Sequence, residues 1–434
     1  MRTARTSRGN SDARARPRVL IALLIAAAAL ATAASSASAL IVHVNSHKAL
    51  SYEPLRGATR LSASPFATPR AKGKNLLYHG GPVMHANTNY ALYWAPSGSQ
   101  PYAAGFQSGV NKYLEDLGHD SGGNQNVDSV ATQYSDSSGE VANYASHFGG
   151  ALIDTEKYPV SGCVAAATCL TDAQIQAEIT RYVKANNLPT GLAHEYFLLT
   201  PPGVESCFAT GSSECSAGTA TPAFCAYHGF IEASSIVYAN DPYVLGNEAC
   251  DTNEHPNGPS DSALLGGLSH EHNESTTDPQ LNAWYGAEGK ENGDKCRTFI
   301  ESSEYGTPLG NAENGSRYNQ LINGAHYWYQ QEWSNQGSAC LQRLTPPAPA
   351  ITKLTPKKGP AAGGTSVTIT GSGFSGATDV RFGAAPAAAF TVQSSTAIKA
   401  TSPAGSIGVA EVSVVAPTGT SAPTKKDRFK YTKK

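Results

Sequence analysis

Several things are scarce in this sequence, and each shortage closes a route. Methionine occurs only at positions 1 and 84, so no methionine turn can follow a metal-binding helix, and a metzincin is excluded. No C-x-x-C pair occurs among the eight cysteines, which argues against zinc fingers. No G-x-S-x-G elbow is present, so a serine mechanism of the α/β-hydrolase kind has no support. After residue 39 no stretch is long and apolar enough to span a bilayer. No internal repeat is found either.

Positive charge is unevenly scarce. Residues 40–350 carry 15 Lys and Arg against 30 Asp and Glu, a net of −15, whereas residues 351–434 carry 11 against 3, a net of +8. Such a split predicts two separate units, the basic one able to meet anionic wall polymers. Nucleic acid is not expected as a partner of an exported chain.

Export is read from the amino end. Arg2, Arg5, Arg8, Arg14, Arg16 and Arg18 form a basic region, Val19 to Ala34 an apolar core, and Ala37-Ser38-Ala39 a small-residue cleavage site. Residues 1–39 are therefore expected to be a signal peptide, with a secreted, extracellular and cell-wall-associated product free of the membrane. The cysteines at 163, 169, 207, 215, 225, 250, 296 and 340 are then expected in disulfides, Cys163–Cys169 closing a small loop. Spacing leaves the other pairings open. Residues 40–74, rich in Ser, Ala, Pro and Arg, read as a flexible lead-in or propeptide, with order beginning near Asn75.

The main domain is expected over 75–344 and is read as mixed, α+β or α/β. Tyr90-Ala-Leu-Tyr-Trp94, Tyr196–Leu199 and Ile236–Tyr238 read as strands. Phe106, Val110, Tyr113, Leu114 and Leu117 follow helical spacing, and Thr171 with Gln174 forms a capping box before Ile175, Ile179 and Val183. The Gly, Ser and Asn-rich stretches 119–140 and 202–223 read as long loops tethered by cysteines.

Candidate chemistry is concentrated in Ser260–Pro279. Ser260 or Asp261 can cap a helix there and Pro279 limits it. At about 100° per residue, Leu264, Leu265 and Leu268 share one face and His270 and Glu274 another, with small Ala263 and Gly267 upstream of that pair. His270-Glu271-x-x-Glu274 is the HExxH zinc pattern with a carboxylate for the second histidine. His270 and Glu274 would hold zinc, and Glu271 would deprotonate water acidified by the ion. Asp294 is the favoured third ligand and Glu291 the alternative; Glu288 is the remaining carboxylate of that stretch. His272 projects away from the pair, and His326 is a weaker option.

The competing reading makes His270 and Glu274 a surface ion pair on an exposed helix. His79, beside Gly80-Gly81-Pro82, could line a cleft and His228 could add an imidazole to the site, but both read more simply as packed structural histidines. Asn273-Glu-Ser275 and Asn314-Gly-Ser316 fit the glycosylation sequon. A gluzincin-like metallopeptidase domain is thus one expectation, with polypeptide or cell-wall polymer as substrate. A non-catalytic cell-surface or glycan-binding protein, with a structural metal or none, is the other.

Pro346-Pro347-Ala348-Pro349 marks a stiff linker, expected over 345–350. Beyond it Ile351, Pro356, Gly359, Gly363-Gly364-Thr365, Gly371-Ser-Gly373-Phe374, Val380-Arg-Phe-Gly383, Pro403 and Phe429-Lys-Tyr431 resemble a TIG (IPT) domain. That resemblance implies an all-β Ig-like sandwich over 351–432, a spacer or binding module without chemistry of its own.

A second resemblance covers scattered motifs from Leu76 to Leu341. Tyr78-His-Gly-Gly-Pro-Val83 followed by Tyr90–Trp94 resembles the start of the phosphate-induced, EXORDIUM-like extracellular family. Ser269-His-Glu-x-x-Glu-x-x-Thr-Asp-Pro279, Asn282-Ala-Trp-Tyr285, Glu291-Asn-Gly-Asp294-x-Cys296 and Tyr318-Asn with Asn323-Gly324 resemble its bacterial relatives. Plant members are secreted wall-associated growth proteins without an assigned reaction, and many lack the His-Glu pair. The resemblance therefore implies a fold that stands without metal, and metal chemistry confined to a subgroup.

Overall fold

Alternation along the strands decides the architecture. Tyr90, Leu92, Trp94, Tyr196 and Leu198 join one apolar core, while Ala91, Tyr93, Phe197 and Leu199 join a second. A sheet apolar on both faces must be covered on both, as parallel sheets are. Two helices do this. α1 (Phe106–His119) contributes Phe106, Val110, Tyr113, Leu114 and Leu117 to one core. α2 (Asp172–Ala185) contributes Ile175, Ile179 and Val183 to the other.

The computed structural model describes residues 41–45, 48–55, 75–142, 144–219, 222–297, 304–344, 348–374, 376–416 and 419–433. The expected signal at 1–39 and residues 345–347 of the expected linker lie outside them. Among the described residues no helix is long and apolar enough to cross a membrane.

In chain order the large sheet is built from β1 (Val42–Asn45), β2 (Lys48–Pro54), β3 (Asn87–Trp94), β4 (Ser146–Asp154) and β5 (Thr168–Thr171). It continues with β6 (His194–Leu199), β7 (Val204–Cys207), β8 (Cys215–Ser216), β9 (Pro222–Ile231) and β10 (Ile236–Asp241). The order is β4-β3-β6-β10-β9-β8-β7-β5, with β2 also paired to β9 and β1 to β2. β4, β3, β6 and β10 run parallel, and β9 returns antiparallel beside β10. The expected strands and both helices are present, and Thr171 and Gln174 close the capping box in both directions.

Two expectations are corrected here. Order does not wait for Asn75: β2 pairs antiparallel with β9, and Leu50 and Tyr52 lie fully inside the first core. Their alternation over a short run was hidden by the Ser, Ala and Pro-rich residues after it. The expected loops are also less bare: a 3₁₀ turn occupies Val127–Gln133, and the short β7 and β8 interrupt 202–223, which is tethered, as expected, by Cys207–Cys215.

Cys163–Cys169, Cys225–Cys250 and Cys296–Cys340 are the remaining disulfides. The C-terminal part is all β. One sheet holds Ala350–Thr355, Ser366–Ser372, Ala397–Thr401 and Ala389–Ser394. The other is built on Arg428–Thr432, Gly408–Ala416 and Asp379–Phe382. Ile369, Phe374, Val380, Ile398, Val414 and Phe429 fill the space between, an apolar core separate from those of the large sheet.

Candidate metal centre

The helix carrying the His-Glu pair is not the single rod that a 100° count assumes. A short turn at Asp261–Ala263 passes into a wider π turn at Leu264–Leu268, and Gly267 at φ 136° breaks the run before α3 (Ser269–Thr277) begins. Ser260 makes no side-chain cap; Asp261 accepts hydrogen bonds from the Asn257 backbone N–H and side-chain amide instead. Gly267 is required twice over. Its φ lies in glycine's territory, and a Cβ there would come within 2.1 Å of the Ala226 Cβ on β9. The expected close approach at this small residue is real, and β9 is the segment that makes it. α3 then ends at Asp278, just before Pro279.

All nine residues of α3 are buried, so the exposed-helix alternative is overturned. Burial also takes Asn273 out of reach of glycosylation, its amide being bonded to the Ser269 carbonyl.

His270, Glu274 and Asp294 are brought together, one ligand atom of each within 4.8 Å of the others. His270 Nε2 lies 3.1 Å from Glu274 Oε1 and 3.7 Å from Asp294 Oδ1. Bonds of 2.0–2.1 Å at a tetrahedral angle would place ligands roughly 3.3–3.4 Å apart, so the spacing suits zinc. The Asp294 side arrives on a loop that presses on the helix. A Cβ at Gly293 would sit 2.8 Å from His270 Nδ1, so glycine is needed there. The Asp294 N–H donates to Glu274 Oε1 at 2.9 Å, and Asp294 Oδ2 accepts the Glu291 N–H at 3.0 Å.

Gln330 settles which imidazole nitrogen is free. Its amide donates to the Gly293 carbonyl at 2.7 Å, which turns Oε1 toward His270 Nδ1 at 3.3 Å. Nδ1 thus keeps its proton when Nε2 meets an ion, the arrangement outer partners impose on metal-binding histidines. In the metal-free protein His270 is held well above the usual imidazole range, burial opposing its charge and Glu274 outweighing it. His270 Nε2 and Asp294 Oδ1 have no hydrogen-bond partner among the described residues.

Glu271 is buried and engaged at both oxygens. Oε1 accepts the Glu53 backbone N–H at 3.0 Å, and Oε2 lies 2.9 Å from His228 Nδ1. Each carboxylate oxygen keeps a second lone pair for a proton. Ser51 donates to Glu274 Oε2 at 3.3 Å. Arg297 sits between Glu53 and Glu304, so the strand expected to be a lead-in is tied into the centre.

Six carboxylates, those of Glu53, Glu271, Glu274, Glu291, Asp294 and Glu304, thus crowd with two imidazoles and one guanidinium, and their protonation reflects it. Burial, then the opposing pull of His270, then the neighbouring carboxylates set Glu271, and the balance holds it well above the usual carboxylate range. Burial and then Glu274 raise Glu291 similarly. Asp294 is pushed up to about 6 by burial first and Glu274 next. Glu274 is lowered: burial opposes ionisation, but the His270 charge outweighs it. Burial lowers His228, favouring its neutral form. A buried cation would offset both the burial penalty and the repulsion between carboxylates that set these shifts.

The remaining candidates fall elsewhere or take other partners. His272 points away to Glu195 at 2.9 Å. His326 stacks on Tyr318 at 3.9 Å, and His79 on Tyr285 at 3.6 Å. Glu291 stands 3.9 Å from His228 Nε2, so His228 belongs to the cluster, and its simpler reading as a packed structural histidine gives way to that of an added imidazole. Glu53, Ser51, Gln330 and Arg297 were missed; only the alternation around Tyr52 hinted that their neighbourhood was buried.

No curated protein matches the chain closely enough to count as a relative. Among solved structures, a plexin A4 full extracellular region is 27% identical, covering 20% of this chain and 7% of that one, at a TM-score of 0.18. SGBP-B from a complex xyloglucan utilization locus in Bacteroides uniformis is 18% identical, covering 24% and 27%, at 0.17. The gamma-CGTase from the alkalophilic Bacillus clarkii is 26% identical, covering 31% and 18%, at 0.18. The chain thus spans 7% to 27% of the length of these three structures, and TM-scores this low carry no functional argument. The sandwich seen at the carboxyl end agrees with the matched family model, and residues 349–431 are an IPT/TIG domain.

Proposed function

We propose that the chain is a secreted zinc-dependent hydrolase, peptidase-like, in which His270, Glu274 and Asp294 hold the ion. One observation carries this: three buried ligand atoms of suitable type converge within 4.8 Å, two of them without a hydrogen-bond partner among the described residues. Zinc bound there would supply Lewis acidity to a water and to a carbonyl oxygen. Glu271 would accept a proton from that water, its carboxylate already fixed by the Glu53 N–H and His228. His270 is held by Gln330 in the tautomer that presents Nε2. Asp294 is held by the Glu291 N–H.

The likeness of residues 76–341 to the EXORDIUM-like family belongs to the same reading. Two of the segments that carry it meet in the fold: Leu77–Tyr78 pairs with Trp284–Tyr285, and Gly81 packs on Asn282.

A second reading, a non-catalytic wall or glycan-binding protein with a structural metal, is favoured by burial. The side chains of His270, Glu274 and Asp294 are no more than 2% exposed. Elemental analysis with a peptidase substrate screen separates the two. Under the hydrolase reading, wild type and Glu271→Gln carry zinc, only wild type turns over, and His270→Ala carries none. Zinc retained with no turnover by wild type, and a lower melting temperature in His270→Ala, leaves the structural role. No zinc in wild type sinks both versions of the metal site.

A further inference from the structure

The first seat leaves two buried carboxylates without a cation. Glu274 and Asp294 together balance one divalent ion beside a neutral His270. Glu271 and Glu291 remain, both fully buried, and the nearby Arg297 is already shared by Glu53 and Glu304. A buried carboxyl must either hold a proton or meet a cation.

His228 stands between them, itself fully buried. Its Nδ1 is 2.9 Å from Glu271 Oε2, and its Nε2 is 3.9 Å from Glu291 Oε2. With the proton on Nδ1, donated to Glu271, the Nε2 lone pair faces Glu291. Neither that nitrogen nor either Glu291 oxygen has a hydrogen-bond partner among the described residues. A carboxylate holding one imidazole nitrogen so that the other can bind metal is a recurrent device. Glu274 reaches toward both histidines, Oε1 lying 3.1 Å from His270 Nε2 and Oε2 3.8 Å from His228 Nδ1. His228, Glu271 and Glu274 also bring one ligand atom each within 4.8 Å of the others.

We infer that His228 Nε2 and the Glu291 carboxylate form a second seat for a divalent transition cation, with Glu271 orienting the imidazole from its Nδ1 side. This rests on the first seat proposed above and adds a second ion to the same buried cluster. Imidazole and carboxylate together suit zinc rather than magnesium or calcium.

The test is equilibrium dialysis of the full mature chain against zinc, then elemental analysis, with a cobalt titration read by absorption as a second measure. Wild type should hold two ions per chain, and His228→Ala and Glu291→Gln one each. Because His228→Ala removes a core side chain, the near-isosteric Glu291→Gln carries the decision, with its melting curve showing that it is folded. One ion in wild type, kept in both variants and lost in His270→Ala, overturns the second seat and leaves the first intact. Two ions retained in both variants overturn the assignment to these residues. No ion in wild type overturns both seats.

Discussion

At the scale of single residues, the centre is an argument about protons as much as about ligands. Asp294 is raised to about 6 by burial and by Glu274. In the metal-free protein a raised carboxyl favours the folded state below its ordinary range and loses that contribution as the pH rises through about 6. A bound cation reverses the balance, because it requires the carboxylate. Zinc affinity should therefore fall on acidification, by about tenfold per pH unit for each displaced proton below that point. A chelator-competition titration at pH 7.5 and pH 5 checks this, and Asp294→Asn should flatten the dependence. Equal affinity at both values would remove Asp294 from the ligand set.

At the scale of elements, the centre depends on how closely β9 and α3 approach. Gly267 allows it, and a methyl group there would overlap the Ala226 side chain while forcing φ 136° on a residue with a Cβ. Gly267→Ala should cost at least about 3 kcal/mol, the scale of overpacking and backbone strain combined. Urea unfolding followed by fluorescence would measure it; a change within 0.5 kcal/mol, roughly that of a surface substitution, would mean that the turn relaxes freely. The same spacing explains β2. Its backbone N–H at Glu53 reaches Glu271, and its Ser51 reaches Glu274, so an edge addition to the sheet becomes a wall of the centre.

At the scale of the whole molecule, covalent links hold the loops that the centre needs. Cys296 lies two residues after Asp294 and joins Cys340 across a separation of 44. Closing a loop of that length is worth about 4 kcal/mol in the chain-entropy account. The Cys296→Ser/Cys340→Ser pair should lower the melting temperature and weaken zinc retention together, which calorimetry and elemental analysis would show. Lost stability with unchanged metal content would mean that the Asp294 loop is held by its hydrogen bonds alone. Disulfides, the IPT/TIG domain and the absence of a membrane-crossing helix among the described residues are compatible with life outside the cell.

Much of this was written in local pattern. Period-two alternation at Tyr90–Trp94, helical spacing from Phe106, and the Thr171–Gln174 box needed only neighbours along the chain, so the sequence sufficed for them. The His270 and Glu274 spacing was equally local, and the acidic Gly-Asn loop with its cysteine pointed to Asp294. The TIG signature rested on turn glycines and prolines whose conformational demands are likewise local. Four features depended on contacts between distant segments: the ordered β2 strand, the break at Gly267, the place of His228, and the support from Gln330 and Glu53. Their residues are 37 to 244 positions from the groups they touch. No periodicity carries such information, because burial and the pairing of charges are decided only when the sheet closes and water leaves.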